Sequence, residues 1–102
     1  MSDERRKNNR RGLQLSVELA VGEMGCKART LDISLCGVAI EVNSNELLPE
    51  GAECSLILPI DDESIQITCV IIRRESNQLG LEFIEPSMEK SRRLTQYLKR
   101  RL

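Results

Sequence analysis

Six short stretches of this chain alternate apolar and polar residues with a period of two. That period is the tightest constraint on its fold. Leu13, Leu15, Val17, Leu19 and Val21 alternate with Gln14, Ser16, Glu18 and Ala20. A β-strand turns successive side chains to opposite faces, so such a run is a strand with one buried face. Gly22-Glu23-Met24-Gly25 offers two glycines for a reversal. Cys26, Ala28 and Thr30 then share a face opposite Lys27 and Arg29. Alternation resumes at Val38, Ile40 and Val42, again at Ala52, Cys54, Leu56 and Leu58, and again at Ile65, Ile67, Cys69 and Ile71. It closes with Leu79 to Phe83. Between these stretches lie the interruption from Asp32 to Gly37, a loop with Pro49 and Gly51, an acidic turn from Pro59 to Glu63, and a turn from Glu75 to Gln78. About six short strands with tight turns predict a small, closed or nearly closed antiparallel β-barrel. Closure also disposes of exposed strand edges.

After Pro86 the period becomes helical. Ser87 is the expected N-cap, with Glu89 in the first turn and Lys99, Arg100 and Arg101 in the last. Ser91, Leu94, Leu98 and Leu102 form one narrow stripe with Tyr97 beside it. So narrow a stripe predicts a helix lying across the barrel surface. Residues 1–12 show no apolar period and are expected to be unstructured when free. The expected organisation is therefore a flexible basic arm over 1–12, a six-stranded antiparallel barrel over 13–86 and a C-terminal α-helix over 87–102. A chain of 102 residues is enough for one domain and not two. With one Phe, one Tyr and no Trp, aliphatic side chains must fill its core.

Several classes of function are disfavoured by composition. No run approaches the roughly 18 apolar residues of a membrane span. The N-terminus is charged and lacks the apolar core of a secretory signal. Cys26, Cys36, Cys54 and Cys69 include no C-x-x-C pair, and histidine is absent. A metal site would need all four thiols to converge without local pairing, so buried free thiols in a reducing cytoplasm are expected and no metal or cofactor. No paired nucleophile and base points to an enzyme. The acidic trio Asp61, Asp62 and Glu63 reads as a solvated turn.

The net charge of −1 hides segregation. Residues 1–11 carry five basic and two acidic side chains, residues 12–86 four basic and thirteen acidic, and residues 87–102 six basic and one acidic. An acidic body thus has two basic ends.

Two motifs carry chemistry. Arg6-Lys7-Asn8-Asn9-Arg10 spaces two arginines by four, with Arg5 and Arg11 as outer neighbours. A guanidinium fork takes two oxygens at once and its face stacks on bases, which suits planar anionic ligands. Alone, the run also fits a solvated arm or non-specific attraction to nucleic acid. Asp32-x-Ser34-x-x-Gly37 alone fits an ordinary turn, in which Gly supplies positive φ. In a ligand site, Asp32 would accept base N–H donors or orient an arginine. Ser34 would donate to phosphate or base, and Gly37 would let ligand and backbone approach closely.

Together, R-x-x-x-R before a first strand and D-x-S-x-x-G after a second resemble the PilZ domain family. The likeness extends over the strand series, Gly51 before a middle strand, Gly80 before Phe83, and the helix. The resemblance implies a six-stranded antiparallel barrel that binds the bacterial second messenger cyclic di-GMP. It implies that Arg6 and Arg10 contact guanine and phosphate, with Asp32, Ser34 and Gly37 on the opposite wall. Arg5 stands where an extra arginine accompanies a stacked pair of ligands in some members, so two ligand molecules per site are expected. The expected function is a cytoplasmic receptor or adaptor, not an enzyme, that changes arm conformation on binding and signals to an unidentified protein partner. The alternative is a nucleic-acid-binding barrel using the arm and helix, disfavoured by the acidic body and the shortage of aromatic side chains.

Overall fold

The inward-facing residues of each alternating stretch meet in one aliphatic core, and that core closes the sheet on itself. The computed structural model of the protein describes residues 14–43, 48–60 and 62–100. It contains β1 (Ser16–Val21), β2 (Met24–Ile33), β3 (Gly37–Val42), β4 (Glu53–Ile60), β5 (Glu63–Glu75), β6 (Gln78–Phe83) and one helix, α1 (Met88–Arg100). The strands form a closed barrel in the order β1-β2-β3-β6-β5-β4, with β4 returning to β1. Every pairing is antiparallel. The expected fold class is borne out.

Leu19, Ile40, Leu56, Leu58, Ile67 and Ile71 are among the side chains wholly enclosed in the barrel. Each is worth about 1.5–3 kcal/mol relative to exposure. Polar Thr30 is buried with them, and its hydroxyl accepts a hydrogen bond from the Leu15 amide at 2.8 Å. Helix α1 starts where Ser87 predicts, with the Lys90 amide donating to Ser87 Oγ at 3.1 Å. It lies on the barrel with a solvated basic face. Leu94, Tyr97 and Leu98 nevertheless belong to the same core cluster as the strands, so the helix adds to the core as well as covering it. Arg93 pairs with Glu63 at 2.7 Å, and Lys90 Nζ donates to the Gln66 carbonyl, which ties the helix to the start of β5. No helix among the described residues is long and apolar enough to cross a membrane.

The strands run further into the turn-like segments than composition predicts. Met24 and Gly25 belong to β2, and the reversal is confined to Gly22 and Glu23, with Gly22 at φ +62°. Pro59 and Ile60 extend β4 and pair with Ser64 and Glu63. Asp32 and Ile33 extend β2, and Gly37 opens β3. Hairpin ladders continue toward the tightest available turn because each further pair satisfies backbone donors and acceptors, whatever the side chains prefer. Pro59 is tolerated because it lies beyond the stretch where β1 pairs with β4.

The cysteines depart in part from the expectation of buried thiols. Cys54 and Cys69 are buried and face each other across the β4–β5 pair. Cys26 is half-buried and Cys36 is exposed. All four are free thiols.

Two bulges break the regular phase. One shifts the β2–β3 register between Thr30 and Asp32, and the other shifts β5–β6 between Ile71 and Arg73. Each inserts an extra residue and so resets which face the following side chains occupy.

Candidate functional site

The two bulges flank the same part of the barrel wall. Beyond the first, Asp32 pairs with Ala39 of β3. Ala39 pairs with Gly80 of β6, and Gly80 pairs with Arg73 of β5, just beyond the second bulge. Asp32, Ala39, Gly80 and Arg73 therefore form one row across four strands. Neighbouring strands lie about 4.8 Å apart, so the row holds a carboxylate and a guanidinium on backbones about 14 Å apart. Between them lie the two smallest residues, Ala39 and Gly80. The result is a groove of about 330 Å³ whose lining includes Asp32, Cys36, Gly37, Ile72, Arg73 and Glu82.

Ser34 and Gly37 shape the groove by means the motif alone does not reveal. Ser34 is fully buried. Its Oγ accepts hydrogen bonds from the amides of Cys36 and Gly37, each at 3.2 Å, and donates to the Gly37 carbonyl at 3.2 Å. The Ser34 amide also donates to the Gly37 carbonyl at 2.9 Å. This serine closes the turn that carries β2 into β3. Gly37 is not among the residues of positive φ. Its missing side chain is required by strand packing, because a Cβ there would lie 2.2 Å from the carbonyl oxygen of Leu81. The Cys36 carbonyl accepts from the Phe83 amide at 2.9 Å, which fastens the same turn to β6.

Of the residues singled out in the sequence, Asp32, Ser34 and Gly37 are brought together at one end of the groove. Arg5, Arg6 and Arg10 lie outside the described residues. Ile72, Arg73 and Glu82 are groove residues that periodicity and motif spacing missed. The available signals were the adjacent pair Ile71-Ile72, which breaks the alternation, and Gly80, too small for a strand position without a reason. Ile72 is 55% exposed because it follows inward-facing Ile71, and the bulge leaves the next residue, Arg73, exposed as well.

A larger groove, about 700 Å³, lies on the outer face of β1 and β2. Its Arg29 is already paired with Glu41 at 2.6 Å, and it contains none of the motif residues. The smaller groove combines unlike charges at its ends, a narrow small-residue floor and a rigid turn. That arrangement suits a flat ligand bearing both hydrogen-bond donors and negative charge.

A sequence model of the PilZ domain family matches residues 4–100. No curated protein matches the chain. Among solved structures, the protein is similar to the PilZ domain of CeSA from a cellulose-synthesizing bacterium, with a TM-score of 0.74 and 16% identity over 87% of this chain and 93% of that one. It is similar to the Bacillus subtilis inhibitor of motility, MotI/DgrA, with a TM-score of 0.73 and 24% identity over 90% of this chain and 48% of that one. It is also similar to the PilZ domain of YcgR from Escherichia coli, solved with c-di-GMP, with a TM-score of 0.69 and 16% identity over 86% of this chain and 83% of that one. At these identities the likeness is one of fold.

Proposed function

The chain belongs to the PilZ domain family, and from that premise we propose that it is a cyclic di-GMP receptor whose ligand lies in the groove between Asp32 and Arg73. The observation that supports this most directly is the cross-strand row itself. It sets the D-x-S-x-x-G turn at the edge of a shallow, small-floored groove, on a scaffold similar to one solved with c-di-GMP. Asp32 accepts guanine N–H donors. Arg6 and Arg10 supply paired donors to phosphate oxygens and to the O6/N7 edge of guanine. Ser34 and Gly37 act chiefly by holding the wall in shape.

Residues 6–12 span up to roughly 20 Å when extended, enough to reach across the groove from the start of β1. Binding draws this segment against the barrel, and the surface so formed is what a protein partner reads. Arg5 adds a third guanidinium, which favours two stacked ligand molecules. Free thiols suit a cytoplasmic setting. Affinity is expected on the order of micromolar, falling as salt is raised, because much of the attraction is between charges near solvent.

Isothermal titration with cyclic di-GMP tests the proposal and reports stoichiometry. A saturable heat at one or two ligands per chain supports it. No heat at high protein concentration and low ionic strength overturns it, and equal heat from a single-stranded oligonucleotide would favour the nucleic-acid reading. Hydrogen exchange over residues 3–12 tests the arm: unchanged protection at saturating ligand defeats the proposed closure.

A further inference from the structure

β4 and β5 each carry a cysteine at the same rung of their shared ladder. Cys54 pairs directly with Cys69, and both side chains turn into the barrel, 4% and 0% exposed. The Ile71 amide donates to the Ala52 carbonyl at 2.9 Å, two residues away in the same register, so the cysteines also form a hydrogen-bonded pair. Cα atoms in such a pair lie about 5.5 Å apart, inside the roughly 4.4–6.8 Å that a disulfide spans. Cys54 is the second residue of β4, and a strand end can give the last fraction of an ångström that bonding needs. The other free thiols have no such neighbour: Cys26 pairs with Leu19, and Cys36 lies in the turn between β2 and β3.

The two sulfurs are not equivalent. Their mutual hydrogen bond lowers the Cys54 thiol from its ordinary range and raises that of Cys69, which burial raises further. A thiolate forming at Cys54 is thus held by the Cys69 thiol, which sets an attacking sulfur beside a resolving one. Cys54 also retains a slight opening to solvent, whereas Cys69 has none. Hydrogen peroxide is little larger than water and fits such an opening; bulkier alkylating reagents are kept out.

We propose that Cys54 and Cys69 are an oxidative modification site, a dithiol that a hydroperoxide converts to an intramolecular disulfide across the β4–β5 ladder. The Cys54 thiolate attacks one peroxide oxygen and the O–O bond breaks. Hydroxide leaves and takes up the proton that Cys54 released, giving water. The Cys69 sulfur then attacks the sulfenic sulfur of Cys54 and the S–O bond breaks. The departing oxygen takes the Cys69 proton as a second water. Two thiols lose two electrons between them, and one peroxide gains them. The new bond lies in the scaffold, where Cys69 also pairs with Phe83 of β6, so the site does not depend on the reading of the ligand groove.

Peroxide treatment of the full chain, folded and without denaturant, tests the proposal. The reaction is stopped with catalase, and the protein is then unfolded in urea and alkylated. Cleavage after Glu63 separates the two cysteines into different peptides. The expected result is an equal loss of alkylatable thiol at positions 54 and 69. Their peptides should be recovered joined, two hydrogens lighter than the sum, and be released by a reducing agent. In Cys69→Ala, Cys54 has no resolving partner and should be recovered as sulfenic or sulfinic acid; if that variant does not fold, the wild-type peptides decide alone. Full alkylation at both positions overturns the proposal. So does oxidation of wild-type Cys54 without Cys69, or linkage of either to Cys36 or to a second chain in preference to each other.

Discussion

A side-chain carbon on Gly37 would meet the Leu81 main-chain carbonyl oxygen at 2.2 Å, so β3 and β6 approach as closely as they do only because residue 37 has none. The obstructing atom is backbone inside a ladder and cannot swing away. Gly37→Ala is therefore expected to destabilise the barrel by about 2 kcal/mol or more, at the upper side of overpacking costs. Gly80→Ala meets only the flexible Arg73 side chain at ordinary contact distance and should change stability by less than about 1 kcal/mol. Urea midpoints of the two variants, measured side by side, check the contrast.

Ser34 Oγ makes three hydrogen bonds within its own turn. Removing a buried hydroxyl takes away a hydrogen bond to each of the Cys36 and Gly37 amides, while the Gly37 carbonyl keeps the Ser34 amide, so Ser34→Ala should cost about 1–3 kcal/mol. Amide exchange at Cys36 and Gly37 should accelerate in this variant. Any loss of ligand affinity should accompany that loosening, which calorimetry and exchange together would show.

Arg6→Ala and Arg10→Ala should each lower cyclic di-GMP affinity at least tenfold while moving the urea midpoint little. The core of the described residues runs from Val17 to Leu98, and charge-assisted bidentate contacts are worth more than neutral ones. Calorimetric titration with a parallel unfolding curve reads both quantities.

The four thiols should react in sequence. Cys36 is exposed and should be alkylated by iodoacetamide first, with half-buried Cys26 slower. Cys54 and Cys69 should react only on unfolding. The hydrogen bond with Cys54, reinforced by burial, holds the Cys69 thiol above the usual range, which leaves almost no thiolate to attack. Peptide mapping after timed alkylation gives the order, and early labelling of Cys69 would contradict the closed barrel.

The helix should be needed for full stability. Leu94 is 2% exposed and packs in the shared core, so Leu94→Ala should cost about 2–5 kcal/mol by urea unfolding. A surface change on the same helix, Gln96→Ala, should cost less than about 0.5 kcal/mol.

Much of the fold was legible in local pattern. Val17 and Leu19, Leu56 and Leu58, Ile65 and Ile67 each announce a buried face two residues apart, and the barrel buries these very side chains. Ser87 announces the helix start, and its hydroxyl caps it. The site was legible only at the motif turn. Asp32, Ser34 and Gly37 were found, and the structure adds roles for two of them that the motif does not announce: Ser34 holds the turn together and Gly37 makes room for the Leu81 carbonyl. Arg73 and Ile72 were passed over as part of a long strand, since a bulge is a mismatch between two strands and has no signature in either one alone.

What the amino-acid order determined by itself is the alternation, the turn residues and the helix cap, because each depends on neighbours within a few positions. What only the tertiary structure decided is the placing of Asp32 and Arg73 in one row across four strands, with Ala39 and Gly80 between them. That follows from register, and register is set when distant strands compete to bury their apolar faces together, so no local window contains it.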